Sequence, residues 1–210
     1  MTDSERLNNA IAAIDEANLK DPNEEQVGHQ VLPKEYAYSQ HMTRWLFELE
    51  PEPSELMQIA CRAQHIERWT MPRSDYGEGR KNYLLWRQMC GRMHGRRAAE
   101  IMAECGYPQE ECERVETILT KRKLRQDEDT QLLEDVACMV FLEKYFAKLY
   151  DDKPDYDREK WLHIVRRTCW RCCRKPWPNR RPDQAPGKNS SRSFSPGSGA
   201  RMKDSPTRKP

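Results

Sequence analysis

Apolar residues return every three or four positions in seven stretches of this chain, which is the spacing of amphipathic helices. Residues 5–18 align Leu7, Ile11, Ile14 and Ala17, with Ser4 as the expected N-cap. Residues 34–49 align Tyr38, Met42, Trp45, Leu46 and Leu49, until Pro51 and Pro53 end the pattern. Ser54 then caps residues 55–69, with Leu56, Ile59, Ala60 and Ala63. The longest stretch, 80–104, runs through Tyr83, Trp86, Cys90, Met93, Arg97 and Ile101 to Gly106, a favourable C-terminal stop. Pro108 opens residues 108–123, residues 128–150 form the most apolar segment, and 157–168 carry Trp161, Ile164 and Val165. Residues 21–30 and 70–79 read as loops. No stretch alternates β-branched with polar residues, so the pattern predicts an all-α fold: one helical bundle over residues 4–168.

Composition separates this body from the C-terminal tail. Residues 166–210 hold 13 Lys/Arg and 2 Asp/Glu, while residues 1–165 hold 23 and 32, so an acidic body carries a basic tail. Residues 169–210 contain seven of the 14 prolines and too little apolar surface to offset their conformational entropy, so they are expected to be disordered. The tail has only Trp170, Trp177 and Phe194 among its basic residues, not a regular interleaving, and no folded binding module, which argues against nucleic acid as a partner. Its Cys169-x-x-Cys172-Cys173 run lacks the second ligand pair of a zinc site. No apolar run reaches the ~20 residues that span a bilayer, so no membrane partner is expected. The N-terminus, Met-Thr-Asp-Ser-Glu, has neither the basic nor the apolar region of a secretory leader. A cytoplasmic location is therefore the expectation, with the five helix-borne cysteines reduced.

Chemistry concentrates in three phrases: Ala-Gln-His65-Ile-Glu-Arg-Trp, Arg-Met-His94-Gly-Arg-Arg-Ala and Leu-Leu-Glu134-Asp135-Val-Ala-Cys. With His41 they offer three imidazoles and two carboxylates on separate helices, ligand types that suit a divalent metal ion. Arg68, Arg73, Arg80, Lys81 and Arg87, beside Tyr76, Trp69 and Trp86, suit a phosphate or carboxylate ligand. Plainer readings stand beside these. A histidine in a core is often simply hydrogen-bonded, early-helix acids favour the macrodipole, and a basic loop is often just solvated. Glu134 or Asp135 paired with Arg68 or Arg87 would make a structural network.

The order of these groups resembles the HD superfamily of metal-dependent phosphohydrolases, helical proteins with a first His, a His-Asp pair and a late Asp. His41, His65 and Asp135 hold the first, second and last places, and the His94 helix is similar to the extra-His helix of some members. The residue after His65 is Ile66, where the superfamily has its bridging Asp. A second resemblance is closer. Tyr-Ser-Gln40, Ala-Gln-His65-Ile-Glu-Arg-Trp69, Pro72-Arg-Ser-Asp-Tyr76, Tyr83-Leu-Leu-Trp86-Arg87 and Leu133-Glu-Asp-Val-Ala-Cys138 look like the family called domain of unknown function 4202, over about residues 4–168. Members sometimes carry the label glutamyl-tRNA synthetase, but this chain has no nucleotide motif of that enzyme class. The resemblances imply a metal held by His65, His94 and Asp135 with His41 assisting, and Glu134 as a base. Arg68, Arg73, Tyr76, Lys81 and Arg87 would hold a small phosphorylated or anionic ligand. Two expectations result: a metal-dependent phosphohydrolase acting on a nucleotide or small phosphoester, or a non-catalytic ligand-binding or scaffold protein that has lost the metal.

Overall fold

A computed structural model describes residues 2–172 apart from Lys123 and Arg125, and all of their side chains except those of Asp3, Arg167 and residues 169–172. The helical elements are α1 (Asp3–Asn18), α2 (Lys34–Leu49), α3 (Glu55–Arg62), α4 (Arg80–Glu104), α5 (Gln109–Thr120), α6 (Glu128–Val140), α7 (Phe146–Asp151) and α8 (Arg158–Cys172). The all-α expectation is met, with one small addition. Residues 24–33 fold as an antiparallel hairpin, β1 (Glu24–Val27) on β2 (Gln30–Pro33), where the sequence pattern predicts a loop. Gly28, at φ 61°, takes the left-handed first position of its two-residue turn. α8 runs one turn past its expected end at residue 168, and the expectation for the rest of the 169–210 tail lies outside the described residues. No helix among the described residues is long and apolar enough to cross a membrane.

Local chemistry fixes the helix starts. Thr2, rather than the expected Ser4, caps α1: its hydroxyl accepts from the Glu5 N–H at 3.3 Å, and the Glu5 carboxylate accepts from the Thr2 N–H at 2.8 Å. Ser54 caps α3 and Asp127 caps α6. α2 has no cap in its own sequence, since Pro33 precedes it. Asp21, fourteen residues upstream of Glu35, supplies the missing acceptor, taking the Glu35 N–H at 2.9 Å.

The bundle closes around Ile14, Met42, Leu46, Ile59, Ile66, Ile101, Met102, Ile118, Leu133, Val136 and Val140, all fully buried. α4 and α5 approach at Gly95, where a Cβ would stand 2.8 Å from Glu116 Cγ. One buried polar network joins three helices. Arg62 at the end of α3 donates from Nε and Nη2 to the two Asp15 carboxylate oxygens of α1, each at 2.6 Å. Its Nη1 donates to Gln40 Oε1 and Thr43 Oγ1 of α2, each at 3.0 Å.

The helical pattern breaks at two places. The helix expected over 55–69 ends at Arg62, because Ala63 leaves helical geometry at φ −90°, ψ 2° and Glu67 turns left-handed at φ 52°, ψ 27°. The helix expected over 128–150 is interrupted at Phe141–Tyr145 by a π-turn, in which the Phe146 N–H reaches the Phe141 carbonyl.

Candidate functional site

Between these breaks lies a cavity of about 460 Å³. Its wall is built by Asn23, just before the hairpin, the start of α2 (Lys34, Glu35, Tyr38), the turn after α3 (His65, Arg68, Trp69), the following loop (Met71, Pro72, Arg73), Trp86 of α4, and Ala137, Phe141 and Tyr145. Because α2 is helical from Lys34, Glu35 and Tyr38 lie one turn apart on the same face. The π-turn sets both Phe141 and Tyr145 on the cavity.

The polar centre is a chain of four side chains. The Tyr38 and His65 rings stack with centroids 4.0 Å apart and planes 12° apart. His65 Nδ1 lies 3.2 Å from Glu35 Oε2, and Arg68 Nη1 donates to His65 Nε2 at 2.6 Å. An Nε2 that accepts from a guanidinium carries no proton, so the Nδ1–H donates to Glu35. The Arg68 guanidinium sits 4.8 Å from the Trp86 ring centroid, and the Trp86 indole N–H donates to the Met71 carbonyl at 2.8 Å. Tyr145 Oη donates to Glu25 Oε2 of the hairpin at 3.0 Å.

Burial tunes these groups. It pushes the Glu35 carboxyl up to about 7, against the opposing pull of Arg68 and Lys34. Burial, with Arg68 adding to it, holds His65 well below the usual imidazole range, so the ring is neutral. The Tyr38 hydroxyl is raised by burial and stays protonated. Glu35 is therefore the group here that changes charge near neutral pH, where proton transfer is most effective.

Stability should depend on pH through this carboxyl. Glu35 titrates near 7 folded and at 4.5 by its ordinary value, so between these the native state holds a proton that the unfolded chain has lost. Stability from Glu35 is full below 4.5 and is lost as pH rises through about 7. His65 and His94, held neutral, act oppositely and cost stability as pH falls below 6.5. The contrast of wild type with Glu35→Gln isolates the first effect. Relative to the variant, wild type should lose about 3 kcal/mol between pH 4.5 and 8. Urea melts at several pH values check this, and a constant difference would refute it.

The residues expected from the sequence divide. Arg68 and Arg73 line the cavity with His65. His94 adjoins His65, with ring centroids 5.8 Å apart, but its Nδ1–H donates to the Ile66 carbonyl at 2.8 Å. His41 is half-buried on α2 among Glu25, Arg44, Glu143 and Lys144, and burial lowers its pKa. Asp135 accepts from Gln131 Nε2 at 2.7 Å, and Glu134 pairs with Lys121 Nζ at 2.6 Å. Tyr76, Lys81 and Arg87 do not line the cavity, and the Arg87 guanidinium lies 5.9 Å from the Tyr83 ring. Glu35, Tyr38, Lys34, Phe141 and Tyr145 are site residues that sequence reasoning passed over. The spacing of Glu35 with Tyr38 and Met42 was the available signal, since it heads the buried stripe of α2 with an acid.

The donor set can be tested against the divalent metal that the HD resemblance implies. Both His65 nitrogens are engaged, one by a guanidinium, and a cation beside Nε2 opposes a second cation there. Among the described residues no group of three or more His, Cys, Asp or Glu side chains could hold a metal ion. As arranged, these residues do not fit the metal.

The chain matches the family model described as Domain of unknown function (DUF4202) over residues 8–176, and it belongs to that family. No curated protein and no solved structure matches it.

Proposed function

We propose that the cavity binds a small phosphorylated ligand carrying a flat ring, with Glu35 exchanging a proton with it and His65 orienting Glu35. One observation carries this reading. Lys34, Arg68 and Arg73 line the cavity, and among the described residues none of the three is in an ion pair with a carboxylate. Elsewhere in the body, Arg6, Arg44, Arg62, Arg97, Arg114 and Lys121 have acidic partners, whereas Arg80, Lys81, Arg87 and Arg92, which have none among the described residues, stand exposed on α4 away from the cavity. Among the described residues, three cations surround one cavity whose only acid is Glu35, and they supply the charge that a phosphate group neutralises. Trp69, Phe141 and Tyr145 supply apolar faces for a ring.

In catalytic form this is phosphoester hydrolysis. The water oxygen bonds to phosphorus as the ester P–O bond breaks; Glu35 takes the proton of the attacking water and returns it to the departing ester oxygen, and the three cations offset the charge that develops on phosphate. In non-catalytic form the same groups retain the ligand. Metal-assisted hydrolysis is the second reading. The adjoining His65 and His94 rings favour it, and it requires Arg68 to leave His65 Nε2.

Calorimetric titration with phenyl phosphate and with inorganic phosphate tests the main reading. Phenyl phosphate should bind at least about tenfold tighter, since one buried ring is worth roughly 1.5–3 kcal/mol. Failure of both to bind would end it. Turnover of an aryl phosphate, with and without added Mn²⁺ or Mg²⁺, then separates hydrolase from binder and the metal-assisted form from the other.

A further inference from the structure

His65 and Arg68 are carried by a turn whose local bonds, Ile66 N–H to the Ala63 carbonyl at 3.0 Å and Arg68 N–H to the His65 carbonyl at 3.1 Å, are joined by bonds from two distant helices. Ile66 and Glu67, the two residues between them, are gripped from outside. The Ile66 carbonyl accepts from His94 Nδ1–H at 2.8 Å, and the Glu67 N–H donates to Asn18 Oδ1 at 3.3 Å. The Glu67 carboxylate meets Arg97 Nε at 3.4 Å, one helical turn from His94 on α4. Asn18 and His94 are 1% and 4% exposed and the Ile66 side chain is fully buried, so the grip is internal to the bundle. Neither Asn18 nor His94 lines the cavity. Glu67 is left-handed at φ 52°, a conformation that costs a non-glycine residue roughly 1 kcal/mol or more and persists only where the surroundings impose it.

We infer that Asn18 and His94 are positioning residues: they clamp the strained Ile66-Glu67 turn so that His65 and Arg68 face the cavity together. The inference rests on the ligand reading of that cavity, and it gives His94 a role other than metal ligation. A neutral imidazole suits the role. The Ile66 carbonyl needs one donor, and His94, pushed down to about 3 chiefly by burial, keeps its proton on Nδ1 without bringing a charge beside Arg68. The plain apolar Ile66 also makes sense here. Its side chain anchors the turn in the core while its carbonyl is the handle.

The test uses the full chain and four variants: His94→Ala, His94→Gln, Asn18→Ala and, as a control of similar destabilisation far from the turn, Val115→Ala. Two readouts are taken: phenyl phosphate affinity, and the His65 titration followed by NMR. His94→Ala and Asn18→Ala should each weaken binding by at least about tenfold and move the His65 titration up toward the ordinary imidazole range, as the ring leaves its buried place. His94→Gln, which keeps an N–H donor, should recover most of both. Val115→Ala should change neither. Loss of affinity that merely tracks melting temperature across all four variants would overturn the inference. So would an unmoved His65 titration in His94→Ala, or stoichiometric Zn²⁺ or Mn²⁺ bound by wild type and lost in His94→Gln. If wild type binds no phenyl phosphate, the ligand reading falls, while the His65 titration still decides whether the clamp exists.

Discussion

Arg68→Ala should weaken phenyl phosphate binding by about a hundredfold while leaving the melting temperature nearly unchanged. The size is set by the bond lost: a charge-assisted hydrogen bond is worth about 1.5–3 kcal/mol, and about 1.4 kcal/mol is tenfold in affinity. The small effect on stability reflects its partners. Arg68 touches a histidine edge and the Trp86 face and is in no ion pair among the described residues, and the buried Glu35, which loses its pull, can take up a proton. The variant should also carry an internal signature. Arg68 is the second cause, after burial, of the depressed His65 pKa, so the His65 titration should move upward. Arg68→Lys keeps the charge but loses the planar fork, and it should fall between wild type and Ala. Calorimetry on the three proteins settles the matter. Equal affinities across the series would mean that the anion does not contact Arg68, and the cavity reading would lose its central cation.

The largest effect on stability is expected from Asp15→Ala. Arg62 is 7% exposed, and both of its bonds to Asp15 would vanish while its charge stayed buried. Breaking one side of a buried ion pair costs about 3–5 kcal/mol. Gln40 and Thr43 still accept from Nη1, and Asp15 itself is partly exposed, so the lower end of the range applies. For a body of this size the midpoint should drop by about 10 °C. Replacing both partners, as Asp15→Leu with Arg62→Met, should recover much of that loss, because apolar side chains of similar volume leave no orphaned charge. A loss below about 1 kcal/mol in thermal or urea melts of the single variant would show that the network is solvated. The site should feel Asp15→Ala as well, since Arg62 ends α3 just before the His65 turn and ties it to α1 and α2.

Much of this architecture was legible in the spacing of apolar residues. α4 was readable end to end, because Trp86, Cys90, Ala98, Ile101 and Met102 keep one buried face through its 25 residues. His94 falls on that face, so its burial was readable too. The β-hairpin was not, since its four-residue strands are half-exposed and show no apolar alternation. The expectation that Asp135 would join the histidines rested on its place as the late Asp in the HD resemblance. In α6 the buried line is Thr130, Leu133, Val136 and Val140. At about 100° per residue, Asp135 rotates off that line, where Gln131 engages it, while Glu134, one turn after Thr130, is taken by Lys121.

The sequence by itself determined what depends on neighbours along the chain: helical class, most helix boundaries, the cap at Ser54, and the core-facing side of most helices. It also singled out His65, Arg68 and Arg73, which line one cavity, because their chemistry was visible as composition. Only the tertiary structure decided where those groups meet. No local signal breaks the chain at Ala63 or turns Glu67 left-handed, and those features depend on donors and acceptors on α1 and α4. The π-turn that sets Phe141 and Tyr145 on the cavity lies in a segment whose own sequence reads as continuous helix. Glu35 and His65 are thirty residues apart and Arg68 and Trp86 are eighteen apart. The raised carboxyl, the neutral imidazole and the guanidinium over an indole therefore exist only after long-range packing removes water from around them.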